Sequence, residues 1–250
     1  MQPYLTLVRR ELGALFLSLA GYVVIAVVML MLGLSFVEIV SALNGSATEQ
    51  PMTEMFYSTV FFWMIILLAT PVITMRTFAQ EKYSGTFETL MTTPVSDLQV
   101  VLAKFSGALL FYLITWLPLV ACLLIVRHYA NDDSVLDWRA IATTYLGITL
   151  LGCLYLSLGV FASAMTRSQI VAAMISYALG IGLFVLSFFA YATQVKTGWQ
   201  ARLFSQVSMF EHMQDFVRGV VDTRHIVFYT SLTVFFLFLT FKAVESRRWK

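Results

Sequence analysis

The chain has 250 residues, of which 59% are hydrophobic and 12% charged, with a net charge of +2 and a mean hydropathy of +0.81. A soluble domain carries roughly 25% charged residues, so a soluble fold is excluded, and the near-neutral charge gives no basic field for nucleic acid. Apolar runs recur that reach the roughly 20 residues a helix needs to cross a bilayer. They are continuous, unlike the alternating segments of about ten residues in a membrane β-barrel.

The expectation is therefore an all-α integral membrane protein, one domain over residues 1–250, with six spans at about 14–37, 55–75, 99–126, 140–164, 169–192 and 225–243. In residues 1–13, Leu5, Val8 and Leu12 share a face with Arg9, Arg10 and Glu11 around it. That pattern suits an N-terminal helix lying in the membrane interface. The arginine pair before an apolar run resembles a twin-Arg export signal. The run from Leu12 to Val37 is, however, longer than the 7–15 residues of a signal peptide's apolar core, so it reads as a retained first span.

Span two contains Pro71 and continues through Arg76 to Lys82. There follows a polar stretch, "EKYSGTFETLMTTPVS", Glu81 to Ser96. Gly85 breaks the helix, and Thr86 is placed to cap a short second helix with Glu88 near its positive end. Phe87, Leu90 and Met91 form one apolar face on it, and Pro94 ends it. So short a helix is not stable alone; lipid or a partner protein could cover that face. Ser96 with Gln99 fits a capping box that opens span three.

Span three holds Pro118, and each intrahelical proline removes a backbone hydrogen bond and bends its helix. Shape alone and a hinge role both remain open for Pro71 and Pro118. The central parts of the spans contain no ionisable residue, which argues against a proton- or ion-coupled carrier. A Na⁺ site of carbonyls and hydroxyls stays open. Lys104, within two turns of the start of span three, is expected to snorkel. Cys122 and Cys153, the two cysteines, lie in apolar runs and read as small buried side chains without the further ligands a metal needs. In span five, Ser168, Ala172, Ser176 and Gly180 recur every four residues as a strip of small side chains for close helix packing, within one chain or between two.

Between spans five and six, Ser208 with Glu211 fits a second capping box. It opens an outer helix ending near Gly219, with Phe210, Met213, Val217 and Val220 on one side. This helix either rests on the outer leaflet or covers an exit pathway. His128, His212 and His225 fall at or outside the outer boundary and are expected as interfacial polar residues. With no H-E-x-x-H and no buried Ser–His pair, intramembrane hydrolysis is disfavoured. Orientation follows the lysines and arginines. With the N-terminus inside, Arg9, Arg10, Arg76, Lys82, Lys104, Arg167, Lys242, Arg247, Arg248 and Lys250 are cytoplasmic, ten of the sixteen, and the first outer loop has none. Both termini are then cytoplasmic.

The stretch "EKYSGTFETLMTTPVSDLQVVLAKF" resembles the E-x-x-x-G-T-x-E-x-L-x-x-x-P-V-S motif of ABC-2 type transporter permeases, through Glu81, Gly85, Thr86, Glu88, Leu90, Pro94, Val95, Ser96 and Lys104. "MQDFVRGVVDTRHIVFYTSLT" and "ESRRWK" are similar to the branch that includes the gliding-motility permease. Phe87 and Met91 depart from the commoner Leu or Ile. The resemblance implies a multi-pass subunit of the bacterial inner membrane that pairs with a second permease chain and sits on two ABC ATPase subunits. The Glu81–Pro94 segment would be the coupling helix seated in the ATPase, with an auxiliary extracytoplasmic protein as a further partner. No cofactor is expected on this chain: it lacks G-x-x-x-x-G-K-[ST], so ATP and Mg²⁺ would be handled by the ATPase. Dimer contacts in such permeases commonly involve the first and fifth spans, which favours an interchain role for the Ser168–Gly180 strip. A secondary carrier or channel, and a membrane scaffold, are the alternative functions.

Overall fold

The computed structural model describes residues 2–43, 52–87, 95–130, 138–192 and 206–246. Among these no strand occurs, and six helical stretches are long and apolar enough to cross a membrane: Leu19–Ala42, Val60–Ser84, Asp97–Ile125, Trp138–Met165, Gln169–Ala192 and Thr223–Glu245. Helix α1 (Gln2–Phe16) and α2 (Leu19–Leu43) meet at a two-residue break. There the Ser18 hydroxyl donates to the Leu15 carbonyl and accepts from the Gly21 N–H. This local cap ends α1 three residues later than the sequence pattern suggests and starts span one at Leu19.

Span two is also preceded by a short helix, α3 (Met52–Ser58), and Thr59 turns the chain before α4 (Val60–Thr74). The Thr59 hydroxyl satisfies the Phe56 carbonyl at 2.8 Å and meets Ser35 of α2 at 3.0 Å. Beyond α4 lie α5 (Ala79–Ser84), α6 (Asp97–Thr115), α7 (Leu117–Ala130), α8 (Trp138–Met165) and α9 (Gln169–Ala192). The chain then forms α10 (Met209–Val217) and α11 (Thr223–Glu245). Span three is thus α6 plus α7, interrupted at Trp116, two residues before Pro118. The Trp116 carbonyl there accepts from Tyr145 of α8 at 2.8 Å.

Helix α8 is the axis of the bundle. Of its most apolar stretch 72% is buried, against 17% for α11, which lies at the rim. Gly159 shows how closely the axis is packed: a Cβ there would lie 1.9 Å from the Thr74 hydroxyl of α4. The buried side of α11 carries Tyr229, Thr233, Thr240 and Val244, spaced at helical turns. Its outward residues, like Leu30 of α2 and Ile170 of α9, are exposed and apolar. An apolar exterior around a packed interior, with backbone bonds satisfied within each helix, is what a bilayer requires of a helical protein.

The main core joins α2, α4, α6, α8 and α10. A second, smaller cluster of Phe78, Val100, Val101, Val160, Ala164 and Val244 sits at the end of the bundle that also carries α1 and α5.

Candidate functional site

At that end, span two does not simply run on. Residues 75–78 form turns between α4 and α5. Ser163 of α8 fills the gap in the hydrogen-bond ladder: its hydroxyl accepts from the Phe78 and Ala79 N–H groups, each at 3.0 Å, and contacts the Met75 carbonyl at 3.2 Å. Phe78, fully buried, then anchors the smaller apolar cluster. Pro71 stays inside α4, and its own carbonyl accepts from Met75 at 2.8 Å. The interruption therefore lies one turn past the proline.

Helix α5 closes at Gly85, whose φ of 73° is a left-handed conformation that a side chain would strain. The Thr86 hydroxyl turns back to Ser84 at 2.8 Å. Phe87 is half-buried against Phe78, with ring centroids 6.4 Å apart and the Lys82 Nζ 5.3 Å from its own centroid. Lys82 is itself buried and donates to the Ala164 carbonyl. Glu88, Leu90, Met91 and Pro94 lie outside the described residues. Among the described residues of this segment, the large side chain turned outward is Tyr83, 81% exposed.

Glu81 points the other way. Its Oε1 lies 2.9 Å from both Lys104 Nζ and Arg10 Nη2. Lys104 also reaches Glu11 Oε1 at 3.0 Å, and Arg10 reaches the same oxygen at 2.7 Å. Two cations and two carboxylates thus close a quartet that joins α1, α5 and α6. Lys104 is 2% exposed with the Phe78 ring 5.2 Å away, so it does not snorkel. Its charge is balanced inside the protein, and breaking such a buried pair by removing one partner costs about 3–5 kcal/mol. Although burial opposes the Arg10 charge, the Glu11 and Glu81 carboxylates raise its pKa above the usual guanidinium value. The Ser96–Gln99 box opens α6 as expected, with both reciprocal bonds present. Glu81 and Lys104, 23 residues apart in the sequence, belong to the motif quoted above, and the fold brings them into direct contact. Nothing in the local spacing pointed to Arg10, Glu11, Ser163 or Tyr83.

The small-residue strip divides. Ser168 is exposed at the start of α9, its hydroxyl 3.5 Å from the Val171 N–H. Ala172, Ser176 and Gly180 are buried within the single chain. The Tyr155 ring of α8 lies where a Gly180 side chain would begin, at 3.3 Å. Within the chain, α8 and α4 lie against this face.

At the opposite end, α10 is packed into the bundle and does not rest on its outside. Met209, His212, Met213, Phe216 and Val217 are buried. The Ser208 hydroxyl caps the helix by accepting from the Glu211 N–H at 3.3 Å. His212, expected at the interface, is 1% exposed and stacks on His225 with centroids 4.0 Å apart, while His225 meets Asp215 at 3.0 Å. Together with Glu211, Asp222 and Arg224 they line an open cavity of about 470 Å³. Burial there, helped by Asp215, raises the Glu211 pKa above the usual carboxylate range. Arg218 holds α3 to α10 through Glu54, at 2.7 Å and 3.2 Å, and lowers the Glu54 pKa by hydrogen bonding and charge. Among the described residues no group of His, Cys, Asp or Glu side chains forms a metal site.

Comparison with known families matches residues 11–241 to the family described as ABC-2 family transporter protein. No curated protein matches the chain.

Proposed function

Because the chain belongs to the ABC-2 family of transporter proteins, we propose that it is the permease subunit of an ATP-driven exporter in a bacterial inner membrane, with both termini in the cytoplasm. It works beside a second permease chain and above two ABC ATPase subunits. Like the gliding-motility branch it resembles, it engages an auxiliary protein on the outer side. The permease binds no nucleotide: ATP and Mg²⁺ belong to the ATPase, and the chain converts ATPase closure into a rearrangement of its spans.

The observation that carries this reading is the segment that begins at Glu81. It is anchored to the bundle on one side by Ser163 and Phe78. The chain turns at Gly85, and Tyr83 is exposed beside it. An element fixed at its base and exposed at its tip can transmit force from a docked partner. On this reading Tyr83, Thr86, Glu88, Leu90 and Met91 meet the ATPase. Glu81, Gly85 and Pro94 set the segment's direction, and Phe87 divides its surface between the partner and Phe78.

Affinity purification of the full chain from its native membrane tests the assignment. An ABC ATPase should be retained, and its ATP turnover should depend on the permease. Transport by the purified chain alone in liposomes would overturn the proposal in favour of a carrier or channel.

A further inference from the structure

We infer that Lys104 is the positioning residue that makes α1, the Glu81 end of span two and the start of span three move as one body. The inference rests on the proposed docking of an ATPase at the segment after Glu81. Along the chain, the Glu81 end of span two reaches α6 only through the residues from Gly85 to Ser96. The Lys104 ammonium bypasses this stretch by holding Glu81 at 2.9 Å and Glu11 at 3.0 Å.

Lys104 is 2% exposed, so its attractions act with little screening by water. Displacing the Glu81 end of span two alone would strand its carboxylate, and displacing span three alone would strand the ammonium beside Phe78, which the cost of unpaired buried charge opposes; displacing α1 alone would break the Lys104–Glu11 and Arg10–Glu81 pairs. Movement of the three together keeps every pair intact. Helix α1 is held to span three by further contacts beside this cluster. Tyr4 and Ser106 share a hydrogen bond of 2.8 Å. At Gly107 the helices approach so closely that a Cβ would stand 2.9 Å from that of Glu11. Helix α1 packs chiefly on α6 and only slightly on α2, the span it precedes. An interfacial helix that merely led into span one would have no need of that attachment.

The test uses the full-length chain with the ATPase that co-purifies with it, reconstituted in lipid vesicles, and follows Lys104→Met. The expected result is an unchanged ATPase concentration for half-maximal turnover together with a tenfold or greater fall in maximal turnover. With rates taken per folded protein, a purely structural lysine would lower the ATPase affinity along with the rate, and that pattern, or an unchanged maximal rate, overturns the inference. A second arm does not depend on the variant folding. Tyr4→Cys and Ser106→Cys, in a background lacking Cys122 and Cys153, are joined by a short bifunctional thiol reagent. One-body movement leaves turnover within twofold of the unlinked protein, whereas a tenfold loss on linking shows that α1 must slide past span three and refutes it. Failure of the wild-type chain to retain any ATPase would remove the proposed function, and Lys104's coupling role with it. Retention with no Lys104 effect removes only the inference.

Discussion

Single atoms decide how closely the helices of this bundle approach. At Gly159 the axis helix lies against Thr74, the last residue of α4 before span two breaks, and a Cβ would stand 1.9 Å from its hydroxyl. That hydroxyl is engaged with the Thr70 carbonyl at 2.8 Å and cannot swing away without losing the bond. Gly159→Ala should therefore destabilise the protein by about 1–3 kcal/mol, as overpacking does. Gly182 of α9, with nothing within 4 Å, is the control: Gly182→Ala should be neutral or stabilise by up to about 1 kcal/mol. Thermal melting of both variants in the same detergent compares them, and equal midpoints would contradict the packing argument. The sequence marks both positions only as glycines in apolar helices. Which one faces a neighbour depends on the rotation of each helix, and a hydrophobic run with weak amphipathicity does not encode that rotation.

At the scale of elements, α5 and α10 carry opposite lessons. The segment at α5 was legible as a polar, Gly- and Pro-punctuated interruption, but its residues divide between inside and outside in a way the sequence does not show. Phe87→Ala should cost about 1 kcal/mol of stability, because the ring that is lost is only half-buried. Tyr83→Ala, at an exposed site, should leave stability within about 0.5 kcal/mol. It should nevertheless weaken ATPase binding tenfold or more, equivalent to about 1.4 kcal/mol. Titrating the ATPase against each variant, alongside a melt, separates the two roles; wild-type affinity in Tyr83→Ala would exclude it from the docking surface. Helix α10 showed its cap and its apolar side in the sequence, yet those features are shared by a helix lying on lipid and one packed into protein. Its link to α3 combines hydrogen bonds from Thr53 to the Val217 carbonyl and from Tyr57 to the Phe210 carbonyl with the Glu54–Arg218 ion pair. Glu54 has a depressed pKa in the fold, so its contribution to stability is complete above the ordinary carboxylate value and is lost as pH falls through the lower, folded value. Melts of the wild type from neutral to acid pH should show this decline, and Glu54→Gln should lessen it. An identical pH profile in the variant would mean that the pair does not hold the helices together.

At the scale of the molecule, the proposed membrane orientation rests on the lysine and arginine distribution. With Cys122 and Cys153 replaced, Gly45→Cys should react with an impermeant thiol reagent in cells whose outer membrane has been made permeable. Ser246→Cys should react only after lysis; labelling of Ser246→Cys before lysis would invert the proposed topology. Length and hydropathy alone determined that the chain is helical, that it has six spans and where they approximately lie, because a bilayer demands about 20 apolar residues with their backbone bonds satisfied locally. Local signals also determined the cap at Ser96 and the break at Gly85, since those depend on bonds between residues three or four apart or on one residue's φ. The tertiary structure decided the rest. It paired Glu81 and Glu11 with Lys104, placed Ser163 across the interruption in span two, buried His212 beneath His225, and turned Ala172, Ser176 and Gly180 inward. Each of these joins side chains from different helices, and their meeting depends on helix rotation and register, which in a chain apolar on nearly every face are set by packing between helices and not by the pattern along any one of them.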